Sequence, residues 1–308
     1  EGSGVSTFMK QMKIIYLTGF SDGERDVYRS IVQAHIIYCI GSLLEGVQEP
    51  IEDETAVLAV QKNLEDLLAQ PSLTHQFEID EGLRKAIDIL MKEDAVHEVV
   101  HSHDMRTSAH AYFIQSYNRI IQKDYIPSVD DILRAPSRRC FQSFSFLLHK
   151  YNWEISDSSC HLNSKSTKWL DHFDSVTVVI FVVALDSYDC FSKDGKNQLV
   201  HTLEIFGSVI NHPSMRDRDI TLFFNKRDLF AEKLHSIDLS VCFPTCSATS
   251  YEQACAYIRK KFQDKDEQRR RGFYTHFICA VDTANVRVVF DAVNMTSMHS
   301  IMDGGLFI

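Results

Sequence analysis

Residues 220–228 read ITLFFNKRD: β-branched, apolar and aromatic residues run from Ile220 to Phe224 and pass directly into the polar turn Asn225-Lys226-Arg227-Asp228. A strand with one wet face alternates, whereas a continuous apolar run is covered on both faces, as in a parallel sheet. The stretch VTVVIFVVAL at 176–185 has the same character. Helix-like segments fall at 197–210, 251–262 and 285–302. This alternation of strand and helix predicts an α/β, doubly wound parallel sheet that binds ligands at the carboxyl ends of its strands.

Working outward, residues 2–7 read GSGVST and are followed by Phe8, Met9, Met12 and Ile15 at helical spacing. The spacing places a glycine loop at a helix start, where free backbone N–H groups and the helix dipole favour an anion. A phosphate loop would end in Gly-Lys-Ser or Gly-Lys-Thr, but Val5 stands at the lysine position. Between 22 and 124 the pattern is helical throughout. Val27, Ile31, Ala34 and Tyr38 form one stripe, Leu58 and Lys62 with Leu64, Leu67 and Leu68 belong to another, and there is no convincing β alternation. An all-helical block therefore interrupts the α/β part after its first helix.

Composition agrees with a globular chain: 308 residues, 44% of them apolar, suffice for a real core. A net charge of −10 argues against phosphate-driven nucleic-acid binding, and Arg269–Arg271 reads as a solvated turn. The eight cysteines lack paired zinc-type spacing; Cys242-x-x-x-Cys246 is a weak signal, and reduced thiols are expected. The longest apolar run, at 176–185, is too short to span a bilayer.

The chemistry concentrates after the 220–224 strand. An aspartate accepts hydrogen bonds only, so Asp228 can take two from a base with adjacent donors, as guanine has and adenine lacks. Asn225 can donate and accept beside it, and the Lys226 stem can cover the base plane. A polar turn after a strand is often only a solvated turn. A glycine loop predicted at the same end of the sheet favours the ligand reading.

With these motifs on the page, the chain resembles the alpha subunit of a heterotrimeric G protein. The resemblance runs through SGVSTFMKQMKII, YIPSVDDILR, KWLDHFDSVTVVIFVVALDSYD, ITLFFNKRDLFAEKL and YTHFICAVDTANVRVVFDAV to the terminal GLFI. It implies a Ras-like P-loop GTPase domain over 1–20 and 134–308, with an inserted α-helical domain over 21–133. It also implies GTP or GDP with Mg²⁺ as cofactors. The nucleotide residues would be Gly2, Ser3, Gly4, Val5, Ser6, Thr7, Asn225, Lys226, Asp228, Cys279 and Ala280, and the Mg²⁺ ligands Ser6 and Asp157.

The family's catalytic positions are altered. Besides Val5, an ungapped reading of ILRAPSRRC places Pro136 at the catalytic arginine and Arg139 at the threonine that completes the Mg²⁺ site. Arg134, Arg138 and Arg139 are displaced candidates to replace that arginine. In DSSCHL, Leu162 stands at the water-positioning glutamine, Cys160 and His161 at the glycines, and Ser158 at the aspartate. A one-residue shift restores Asp157 as the carboxylate and brings His161 beside the glutamine position. Impaired or absent GTP hydrolysis is expected.

Implied partners are a beta-gamma dimer and a G-protein-coupled receptor, the latter through the last helix, with Val286, Val289, Phe290 and Val293 as its buried stripe, and through the tail DGGLFI. The tail has Gly304 where the family has a cysteine, and one extra residue, Ile308. The implied location is the cytoplasmic face of the plasma membrane, although the given chain carries no anchor. The family's first strand would precede Gly2, so the chain as written is expected to be a fragment that folds poorly by itself. A competing reading is a non-catalytic interaction module that keeps the fold and partner surfaces without switching. A misjudged exon boundary at DSSCHL is a third.

Overall fold

The computed structural model describes residues 2–102, 110–136, 143–158, 176–216, 218–268 and 272–304. The positions discussed at Arg138, Arg139, Cys160, His161, Leu162, Arg269–Arg271 and the terminal GLFI lie outside them. Two compact units form: residues 1–17 with 139–308, and residues 18–138.

The unit 18–138 is helical throughout its described residues. Its central helix, α2 (Asp22–Glu45), starts at a capping box: Ser21 accepts from the Glu24 amide and Glu24 reaches back to the Ser21 amide. Around it lie α3 (Glu54–Ala69), α4 (Glu81–Leu90), α5 (Asp94–His101), α6 (Ala111–Gln115), α7 (Tyr117–Ile120) and α8 (Val129–Arg134). Val32, Ile36, Ile37, Ile40 and Leu43 of α2 are fully buried in a cluster with Val60, Ile87, Leu90, Phe113 and Ile120. By length and composition α2 could cross a bilayer, but half of its apolar window is buried inside this unit, as suits a core helix. Two predicted stripes shift. Val27 is exposed, as are Leu58 and Leu68, while Ile31, Ala34 and Leu67 are buried and Tyr38 and Leu64 pack against the core. With neighbours on several sides, the buried arc of α2 is wider than one stripe.

In the other unit, α1 (Val5–Tyr16) is followed by a hairpin of β1 (Ser143–Leu148) and β2 (Tyr151–Ser156). A parallel three-stranded sheet comes next, in the order β3 (Val178–Ala184), β4 (Asp219–Asn225), β5 (Phe273–Phe277), with Val178 opposite Asp219 and Ile220 opposite Phe273. The helices are α9 (Gln198–Ile210), α10 (Arg227–Lys233), α11 (Tyr251–Gln263) and α12 (Thr283–Gly304). Period-two geometry sorts the strand residues. Val179, Phe181, Val183, Ile220, Leu222 and Phe224 pack with Leu203 and Phe206 of α9 and Ile258 and Phe262 of α11. Val182 and Phe223 face the opposite way, onto Phe8 and Met12 of α1 and Val286, Phe290 and Val293 of α12. Both sheet faces are covered, as the continuous apolar runs predicted.

The hairpin lays Phe144, Phe146, Trp153 and Ile155 on the same α1–α12 cluster, where Trp153 and Phe290 meet edge to face at 5.4 Å. Among the described residues its two strands pair only with each other, antiparallel, and β3 pairs only with β4.

Candidate functional site

Three loops meet at the carboxyl end of β4, and Asn225, its last residue, joins them. Buried to 2% exposure, Asn225 donates from Nδ2 to the Ser3 carbonyl at 2.8 Å and accepts at Oδ1 from the Ala280 amide at 2.9 Å. Gln11 secures the next peptide, donating to the Ala280 carbonyl at 2.9 Å while its Oε1 accepts from Thr283 Oγ1, also at 2.9 Å. The glycine loop, the β4 turn and the loop after β5 are thus held together through two buried carboxamides. Sequence reasoning named Asn225 but missed Gln11. Its one available signal was a polar residue three positions after Phe8, on the buried arc of α1.

The glycine loop has the backbone of an anion cradle. Gly2 and Gly4 take left-handed conformations, φ +80° and +96°, and no side chain caps α1 at Gly4. First-turn amides of α1 therefore have no side-chain cap, the condition under which a helix start attracts an anion. Gly2 is exposed, Ser3, Ser6 and Thr7 are half-buried, and Val5 packs against the Phe8–Phe290 cluster. No cation enters the loop from Val5. Lys10, further along α1, is buried, and desolvation lowers its pKa to about 7.

Past β4, Lys226 is left-handed at φ +61° and heads α10. Its ammonium pairs with Asp186 Oδ2 at 2.8 Å, and Lys233 binds both Asp189 oxygens at 2.8 and 2.9 Å, which fixes the turn after β3. Asp186 Oδ1 is buried without a partner among the described residues. Asp228, in the first turn of α10, is exposed. Burial, together with the charge of Asp228 beside it, pushes the Cys279 thiol up to about 11. The Cys279 amide donates to Asn285 Oδ1 at 2.9 Å, and the Asp282 amide to the Cys279 carbonyl at 3.0 Å, making a tight turn into α12.

The arrangement thus offers an exposed carboxylate acceptor beside the 279–280 loop and a glycine cradle bonded to Asn225. The first suits a base with adjacent donors, and the second suits phosphate oxygens. The fit is incomplete at Val5, where an apolar side chain replaces the expected ammonium. Of the proposed Mg²⁺ ligands, Ser6 lies in the first turn of α1, and Asp157 follows β2 and is buried. In the helical unit, Pro136 is exposed just after α8. Arg134 is engaged, paired with Asp130 at 2.8 Å and stacked over the Tyr112 ring at 4.3 Å. Residues 1–297 match the family model for the G-protein alpha subunit.

Proposed function

The chain belongs to the G-protein alpha subunit family, and from that premise we propose that it binds guanine nucleotide weakly and hydrolyses GTP slowly or not at all. As a family, these signal transducers bind GTP and GDP with Mg²⁺ and partner with beta-gamma dimers and receptors. In our reading Asp228 accepts from the guanine edge, the 279–280 loop borders the base, and the amides of residues 2–7 hold phosphate oxygens. Ser6 and Asp157 would serve the cation.

The observation that carries the proposal is the Asn225 bridge between Ser3 and Ala280. It ties the glycine loop to the 279–280 loop, which supports reading the two as the phosphate and base sides of one site. Weak binding follows from Val5, since each charge-assisted hydrogen bond contributes roughly 1.5–3 kcal/mol. Slow hydrolysis follows from Pro136 and Leu162 at the family's arginine and glutamine positions. The beta-gamma dimer and a receptor are the proposed partners, with α12 and the tail facing the receptor at the cytoplasmic face of the plasma membrane.

Titration with a fluorescent GTP analogue, with and without Mg²⁺, tests this. Saturable binding that Asp228→Ala abolishes is expected, and no binding at tens of micromolar analogue would overturn it. The packing of Val5 into the apolar cluster favours one alternative, an interaction module that no longer switches. That reading predicts the null titration together with retained beta-gamma capture.

A further inference from the structure

Away from the nucleotide site, three ligand-type side chains converge inside the helical unit. His35 and Cys39 are one turn apart on α2, so they share a face, and His110 immediately precedes α6. One ring nitrogen from each histidine and the Cys39 Sγ all lie within 4.8 Å of one another. Cys39 Sγ and His110 Nδ1 are 3.3 Å apart. In a tetrahedral zinc site, metal–ligand bonds near 2.0–2.3 Å set neighbouring ligand atoms roughly 3.3–3.7 Å apart. The Cys39–His110 pair already meets that spacing, and a His35 ring nitrogen lies within 4.8 Å of both other ligand atoms. His35 is aligned by Phe113, whose ring it meets edge to face at 4.7 Å.

We propose that His35, Cys39 and His110 form a binding site for a borderline divalent cation of the Zn²⁺ class. Two imidazoles and one thiolate are the donor set such ions select over Mg²⁺ or Ca²⁺, which take oxygen ligands. Cys39 is fully buried while both histidines are half-buried, so the thiolate sits on the dry side and a water can complete the coordination from the wet side. Binding replaces the thiol proton, which leaves to solvent. The ion would cross-link α2 to the head of α6, joining positions 71 residues apart along the chain. Because the three ligands converge only in the folded unit, metal occupancy stabilises it by mass action. The linear cysteine spacing conceals the site because its third ligand arrives from a distant helix.

The test uses the full chain, stripped of metal, titrated with Co²⁺ as a spectroscopic probe and then with Zn²⁺ in competition. One equivalent of Co²⁺ should produce thiolate-to-metal charge-transfer absorption with tetrahedral-type visible bands, which Zn²⁺ bleaches while raising Tm. Cys39→Ser should remove the charge-transfer band. His110→Asn and His35→Gln should each weaken affinity at least about 10–100-fold, the scale seen even for outer-sphere losses. Cys255→Ser, in α11, should leave the signal intact. Because Cys39→Ser alters a buried position, the half-buried His35 and His110 variants serve as independent readouts, with folding checked by circular dichroism. Absent absorption in the parent protein, or a band surviving all three ligand substitutions, would overturn the proposal.

Discussion

A methyl group at Gly4 would lie 2.0 Å from Asn225 Nδ2, and the residue already has φ +96°. Both constraints exclude a side chain, because the left-handed backbone costs other residues roughly 1–2 kcal/mol and the Asn225 bond to Ser3 would be displaced, at about 1 kcal/mol more. Gly2, at φ +80°, has nothing within 4 Å of the same added atom. Gly4→Ala should therefore lower urea-unfolding stability by roughly 2–3 kcal/mol and Gly2→Ala by only about 1–2. Equal losses would show that Asn225 does not hold the loop. Gly4, Asn225 and Asp228 were legible because each belongs to a short local pattern. Gln11 and Lys10 were not, because the burial of a polar residue depends on what packs over it. The Gln11 partner, Ala280, is 269 positions away.

At the level of elements, the helical unit fastens α8 through one carboxylate. Asp131 is fully buried and accepts from Arg119 at 2.7 and 2.8 Å, from Tyr112 Oη at 2.8 Å and from the Ser128 amide at 2.8 Å. Burial opposes its ionisation, yet these donors hold the carboxyl well below the ordinary carboxylate range. Since its folded pKa lies below its unfolded one, Asp131 stabilises the fold above the unfolded value, near 3.8, and that contribution is lost as pH falls towards the folded value. Asp131→Asn should reduce stability at neutral pH by roughly 1.5–3 kcal/mol and flatten the fall in Tm below about pH 4. An unchanged acid profile would assign that fall to other groups.

Element reading from sequence succeeded where length and periodicity coincide, as in β3, β4 and α12. It passed over the β1–β2 hairpin because its two-residue turn, His149-Lys150, takes φ +48° and +74° without the glycine or asparagine that usually marks such a turn. It also left β5 unnamed, since FYTHF interleaves His276 and Thr275 with its aromatics.

At the scale of the molecule, the two-part plan was readable because the helical stretch between 22 and 124 has no β-type alternation, while the runs after it are short and apolar. That Gln11 reaches Ala280 and His110 reaches Cys39 was not readable, because each contact joins segments far apart along the chain. Residues 178–184 (VVIFVVA) carry no charge, proline or glycine, and among the described residues only β4 is bonded to them. Natural edge strands are usually blunted by such residues because a bare ladder of amide and carbonyl groups recruits other chains. Residues 178–184 have none of them, so this side of β3 suits cover by a further strand; slow hydrogen exchange at the β3 amides that do not bond β4 is expected in the purified protein, and fast exchange there would refute this. The lifetime of the fold in a cell would then hang on that covering strand, since β3 left without it would make the protein a client for chaperones or proteases.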